Sequence, residues 1–219
     1  MNLRPIQSIT LTEAVYKELL HSIISAKIRP GEKLKLEQLA KELDVSIMPV
    51  REAIRKLEAG KFVSLQKNRR IVVSQLSSKR EVDQILELRL ILECLAIRKA
   101  CKKFTRERLG ELELLQKKIV ETRDAYAALE LNTQFHFLIY EQAQIPILTE
   151  VINLLWKKIS PYLHMEVAVL FRKFDGSIPH NIFYCHDHII EKIGVKDEEQ
   201  AAKWLKRDVN TGIEYLGIR

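Results

Sequence analysis

Proline has no backbone N–H and its ring collides with the preceding turn, so Pro49 limits where a helix can lie in the segment VSIMPVREAI, residues 45–54. Within a first turn it is tolerated, because the N–H it lacks would have no intrahelical partner there. Ser46 is a suitable cap for a helix that starts at this point. Beyond the proline, Val50, Ala53, Ile54 and Leu57 recur at i, i+3, i+4 and i+7, which gives the helix one apolar face. Arg51 and Arg55 stand four residues apart on a second stripe. The segment predicts a sharply started helix with an apolar back and a basic front.

The flanking residues place this helix in a larger pattern. Thr12 is a plausible N-cap for a helix running to about Ala26, with Val15, Leu19, Ile23 and Ile24 turned inward. Pro30-Gly31 marks a turn, Leu36 to Leu43 a short helix, and Asp44-Val45 a tight connection into the basic helix. This order is the layout of a helix-turn-helix, whose second helix can enter the major groove. Phe62, Val63 and Leu65 suggest a short strand, and Ile71, Val72 and Val73 another. The Gln66-Lys67-Asn68-Arg69-Arg70 tip between them is basic and suited to phosphate or the minor groove.

Charge is distributed accordingly. Residues 1–75 hold 14 Lys and Arg against 8 Asp and Glu, a net of +6, out of +7 for the whole chain. An N-terminal module facing a polyanion, followed by a nearly neutral remainder, fits that asymmetry. From residue 77 onward the periodicity is helical, with helices expected over 79–102, 105–121, 124–143, 147–172, 179–194 and 197–216. The expected fold is all-α with a small β-wing. A winged helix-turn-helix over 1–76 is followed over 77–219 by an antiparallel helical bundle. Three scattered cysteines and the lack of an 18-residue apolar run point to a reducing cytoplasm.

The stretch IRPGEKLKLEQLAKELDVSIMPVREAIRKLEAGKFV resembles the winged helix-turn-helix of the GntR family of bacterial transcription regulators, with PGEKL, LA, VS and PVREAI carrying the match. ELRLILE at 87–93, NTQFH at 132–136 and the spacing from His186 to Asp197 resemble the FCD-type effector domain of its FadR subgroup. The resemblance implies a DNA-binding repressor that binds an inverted repeat as a homodimer. Arg51 is the candidate for a bidentate guanine contact, Ser46 and Arg55 for phosphate, and Lys67, Arg69 and Arg70 for the wing. An Arg55 salt bridge to Glu52 or Glu58 is the plainer alternative. The chain departs from the family pattern at Ile47, where arginine is usual, at Gly60, one place early, and at Asn68, in place of the wing glycine.

Polar residues on apolar helical faces raise a second question. Asn132 and His136 share a stripe with Phe135 and Ile139; His186 shares one with Ile189, Ile190 and Ile193; Asp208 shares one with Ala201, Trp204 and Leu205. Such groups must satisfy one another, a metal or a ligand. Metal-binding members of the resembled subgroup use an aspartate and three histidines, and the matched positions here are Asn132, His136, His186 and Asp208. One carboxylate is kept and one imidazole is lost, which moves preference from Zn or Ni toward harder ions such as Mn. The alternative is a metal-free polar cluster. Arg89, on a stripe with Ile85, Leu92 and Ala96, suits a small carboxylate effector, or else pairs with Glu93 at i+4. The chain shows no motif for an activated nucleophile, so an enzyme is not expected. A small metalloenzyme acting on an organic acid and an architectural repressor without effector are the competing readings.

Overall fold

A computed structural model of the chain describes residues 10–67, 70–76, 79–173 and 183–215. It divides into two compact units, Met1–Leu76 and Ser77–Arg219. The first contains α1 (Leu11–Ile24), β1 (Lys33–Leu34), α2 (Leu36–Glu42), α3 (Ile47–Ala59), β2 (Val63–Gln66) and β3 (Arg70–Val73). The second contains α4 (Lys79–Cys101), α5 (Arg106–Glu121), α6 (Ala125–Gln142), α7 (Pro146–Lys173), α8 (Tyr184–Gly194) and α9 (Glu198–Tyr215). The helix expected from residue 179 begins at Tyr184; residues 179–182 lie outside the described residues.

In the first unit, α1 is capped by Thr10 rather than Thr12. The Thr10 hydroxyl accepts from the Glu13 N–H at 3.2 Å, and its carbonyl accepts from Ala14 at 3.0 Å. The chain is therefore helical two residues earlier than expected, and Thr12 already lies inside the first turn. The helix-turn-helix connection depends on Asp44, which takes a left-handed φ of 51°. That conformation lets the Val45 N–H reach the Ala40 carbonyl at 3.0 Å.

Ser46 occupies the N-cap of α3 with an extended backbone, but its hydroxyl makes no capping bond. Pro49 removes one of the two donors such a cap would use, leaving the Met48 N–H as the other. An N-cap side chain accepts from the second or third helical N–H, and here the third helical residue is the proline. At the other end of α3, Gly60 keeps a right-handed φ of −77°, and Lys61 takes the left-handed position at φ 59°. Gly60 is needed for space instead: a Cβ there would stand 2.9 Å from the Phe62 ring.

The hairpin forms as expected, with β2 and β3 antiparallel and Gln66 opposite Arg70. A third strand, β1, pairs its Leu34 with Ile71 of β3, so the order is β1-β3-β2. Val15, Leu19, Val50, Ile54, Leu57, Val63, Ile71 and Val73 close the core beneath the sheet and helices. In the second unit, α4 packs against α6, α7 and α9, while α5 packs on α6 and α8, and α8 on α9. Ile97, Leu112, Ile119, Phe135, Ile139, Ile152, Ile189 and Leu205 form the centre of its apolar core.

The caps can be compared directly. Thr105 also caps by side chain, accepting from Arg108 at 3.2 Å. Thr10→Ala and Thr105→Ala should each cost about 1 kcal/mol, whereas Ser46→Ala should stay within about 0.5 kcal/mol. Urea denaturation of the three variants checks this; an equal loss at Ser46 would mean that its hydroxyl caps after all.

Candidate nucleic-acid interface and metal centre

The two faces of α3 are chemically opposite. Val50, Ala53, Ile54 and Leu57 are buried, while Arg51 and Arg55 are exposed on the other side with Ser46, Ile47 and Met48. Arg55 is paired with Glu52 at 2.9 Å across the surface. Such an exposed pair is worth about 0–1 kcal/mol and gives way readily to a phosphate. Among the described residues Arg51 has no ion pair. At the hairpin end, Lys67 and Arg70 are exposed; Asn68 and Arg69 lie outside the described residues.

In the second unit every helix contributes a polar or aromatic side chain to one buried chain of contacts. His136 from α6, His186 from α8 and Asp208 from α9 meet with their ligand atoms within 4.8 Å of one another. His136 Nε2 lies 3.2 Å from Asp208 Oδ2, and His186 Nε2 lies 3.5 Å from Asp208 Oδ1. Gln116 of α5 fixes the second imidazole. Its amide N–H₂ donates to the Phe183 carbonyl at 3.1 Å, so its oxygen faces His186 Nδ1 at 2.8 Å. Only a protonated Nδ1 can donate to that oxygen, which leaves Nε2 as the bare nitrogen of the neutral ring. Nε2 is buried and has no hydrogen-bond partner.

The electrostatics agree with this geometry. Burial pushes the His186 pKa down to about 3, against the attraction of Asp208, so the imidazole is neutral at physiological pH. For Asp208, burial works to raise the pKa, but His186, His136 and Arg89 together outweigh it and hold the carboxyl below its ordinary value. The result is an ionised carboxylate faced by a bare imidazole lone pair. That arrangement is repulsive unless a cation or a proton lies between them, and two imidazole nitrogens with one carboxylate oxygen suit a divalent ion.

Arg89 and Glu93 of α4 form the ion pair expected as the plainer alternative, at 2.7 Å, but it is buried rather than on the surface. The Arg89 guanidinium also lies over the Trp156 ring of α7, 4.2 Å from its centroid. Among the described residues its Nε alone is hydrogen-bonded, to Glu93. Asn132 is half-buried one turn before His136, with no described hydrogen bond. His188 faces away, stacked on Trp204 with ring centroids 3.9 Å apart.

Three members of this network are not evident from single residues: Gln116, Tyr140 and Trp156. Tyr140 has a local signal, one turn after His136. Gln116 has none, because its partner His186 is 70 positions away.

Residues 11–73 match the gntR family of bacterial regulatory proteins, and residues 84–211 match the FCD domain. The chain belongs to the GntR family. It is a DNA-binding transcription regulator and not an enzyme. This GntR regulator is 32% identical to the HTH-type transcriptional regulator McbR of Escherichia coli K12 over 71% of the chain and 72% of that protein. It is 26% identical to the gluconate operon transcriptional repressor of Bacillus licheniformis over 92% of the chain and 84% of that protein. The solved structure of E. coli McbR/YncC superposes with a TM-score of 0.84 at 27% identity, covering 96% of this chain and 98% of that one. Among the described residues of the GntR regulator, no helix is long and apolar enough to cross a membrane.

Proposed function

We propose that this GntR regulator is a cytoplasmic, nucleoid-associated repressor. In this reading it binds an inverted-repeat operator as a homodimer and responds to a small carboxylate through a divalent metal ion. The unpartnered His186 Nε2, buried against the Asp208 carboxylate, carries the metal reading. His136, His186 and Asp208 would hold the ion, with Asn132 a weak fourth ligand or a hydrogen-bond donor beside it. The ion would supply a Lewis-acid centre for an anionic effector. Arg89 would hold the other end of that effector through its outer guanidinium nitrogens, since Glu93 engages Nε and Trp156 fixes the guanidinium plane. Mn²⁺, Ni²⁺ and Zn²⁺ are all compatible with a mixed imidazole and carboxylate set.

On the DNA side, Arg51, exposed and without an ion pair among the described residues, supports a bidentate contact to guanine O6 and N7. Ser46, whose hydroxyl is free of capping duty, and Arg55, whose surface pair is weak, would contact phosphates. Lys67, Arg69 and Arg70 would bind phosphates from the wing. Repression is supported by the name of the B. licheniformis relative, a transcriptional repressor. Effector binding would shift the population between states of different DNA affinity.

Two outcomes are expected. Arg51→Ala should weaken specific operator binding by about 1–3 kcal/mol and relax base preference at one half-site position. Fluorescence anisotropy on matched and altered sites reads this, and unchanged specificity would remove the assignment. For the metal, added Mn²⁺, Ni²⁺ or Zn²⁺ should raise the melting temperature after chelation and dialysis. Asp208→Ala should abolish that rise, Asn132→Asp should enlarge it, and a change at His188 should leave it intact. A wild-type protein whose melt no ion shifts is a regulator with a metal-free polar core.

A further inference from the structure

His136 is held by a second arm, on the side away from Asp208. Its Nδ1 lies 3.3 Å from the Tyr140 hydroxyl, and that hydroxyl lies 2.7 Å from Glu93 Oε2. A phenol has one proton to give. The shorter contact, to a carboxylate, takes it, so the hydroxyl oxygen is an acceptor toward His136. Nδ1 must then carry a proton, so the position the ring can open to an ion is Nε2, which faces Asp208 at 3.2 Å. Burial, reinforced by the Glu93 charge, keeps the Tyr140 phenol protonated, with its pKa well above the usual value.

Glu93 is itself over-determined. It is 0% exposed, and its Oε1 accepts from Arg89 Nε and Trp156 Nε1, each at 2.7 Å. Neither partner can accept a hydrogen bond, so only an acceptor can stand at Oε1. Oε2 is left for Tyr140 alone.

We propose that Tyr140 and Glu93 are positioning residues for His136: the carboxylate sets the direction of the hydrogen-bond chain, from His136 to Tyr140 to Glu93, and so presents the Nε2 lone pair to the ion. This rests on His136 being a metal ligand. Gln116 does the same for His186 from the opposite side, ending on a peptide carbonyl instead of a charge. Ligand histidines held in this way bind metal more tightly, because ring orientation and tautomer are settled beforehand.

The direction can be reversed by one atom. In Glu93→Gln the new amide oxygen keeps the Oε1 position with its two donors, and the NH₂ group falls opposite Tyr140. The phenol must then accept from the amide and donate to His136 Nδ1. The imidazole proton moves to Nε2, the atom that should bind the ion. Tyr140→Phe removes the arm without imposing a direction.

The test is NMR of histidine-labelled, metal-free protein in mildly alkaline buffer, which separates protonated from bare ring nitrogens, paired with calorimetric titration of Ni²⁺. In the wild type, His136 should be protonated at Nδ1; in Glu93→Gln it should be protonated at Nε2; in Tyr140→Phe it should be a mixture. Ni²⁺ affinity should fall about 10- to 100-fold in both variants. A wild-type His136 protonated at Nε2 overturns the proposal, as does a wild-type tautomer retained in both variants. If Glu93→Gln does not fold, Tyr140→Phe decides alone. If the wild type binds no Ni²⁺, the metal reading fails, while the tautomers still decide whether Tyr140 and Glu93 position the ring.

A separate observation on α3 carries a second inference. Ile47 and Met48, its first two residues, are 37% and 61% exposed. They lie four and three residues before Arg51, beside the basic front rather than on the buried back. The first residues of a recognition helix approach base edges, and thymine alone presents a methyl group in the major groove. The geometry points to Ile47 and Met48 as readers of thymine methyl groups next to the base that Arg51 contacts.

Operator fragments enriched by the full chain from a random pool provide the probe. Each half-site thymine is replaced in turn by deoxyuridine, which removes only the methyl group. Affinity for the wild type should drop several-fold at one or two positions, and those drops should vanish in the Ile47→Ala, Met48→Ala double variant. If no deoxyuridine weakens binding, or if the drops persist in the double variant, the inference is wrong.

Discussion

A carboxylate shut away from water has to be matched by donors, and Glu93 organises the helical unit on those terms. Its partners come from α4, α6 and α7, through Arg89, Tyr140 and Trp156. Removing Arg89 would leave the buried Glu93 charge without its counter-ion, at a cost of several kcal/mol. From Tyr140 the contacts continue to His136, Asp208, His186 and Gln116. The six helices are therefore registered by directional bonds as well as by apolar packing. Hydrophobic contact alone tolerates sliding of a helix far better than a chain of contacts near 3 Å does.

The network also contains a defect. Almost every member has a partner of the right polarity, yet a bare imidazole nitrogen faces a carboxylate oxygen at its centre. Folded proteins seldom leave a buried polar atom unsatisfied without a functional reason. The proposed ion removes the conflict, since it would turn two facing lone-pair donors into ligands of one cation. Arg89 lies close enough to influence Asp208 electrostatically, which is consistent with an anion site and a metal site that share one field.

The DNA-binding unit follows a different logic. Its core is apolar, and among the described residues its charged side chains are on the outside. The burial of Val50, Ala53, Ile54 and Leu57 fixes which residues of α3 face outward, and Pro49 fixes where that helix starts. The same proline removes one of the two N–H donors that Ser46 would usually cap, and its hydroxyl makes no capping bond. A residue type that normally serves the helix is left available for a ligand.

Much of this was legible in the residue pattern. The α3 stripe, the hairpin and the helices of the second unit follow from periods of 3.6 and 2 and from breakers such as Pro30 and Gly31, because those signals are local. The inward faces that carry His136, His186, Asp208 and Arg89 could be read for the same reason. Short-range geometry misled at one cap: Thr12 looked like the N-cap of α1 although Thr10 was already placed to serve. Strand β1 was invisible, since two residues become a strand only when β3 arrives to pair with them. Gln116 and Trp156 gave no sign of their roles, because their partners lie 70 and 63 positions away. The sequence by itself determined the helical faces and the basic front of α3, which depend on neighbours within a turn or two. Only the tertiary structure decided which buried groups satisfy one another and which nitrogen is left bare, because hydrogen-bond partners across a bundle are set by how the helices meet.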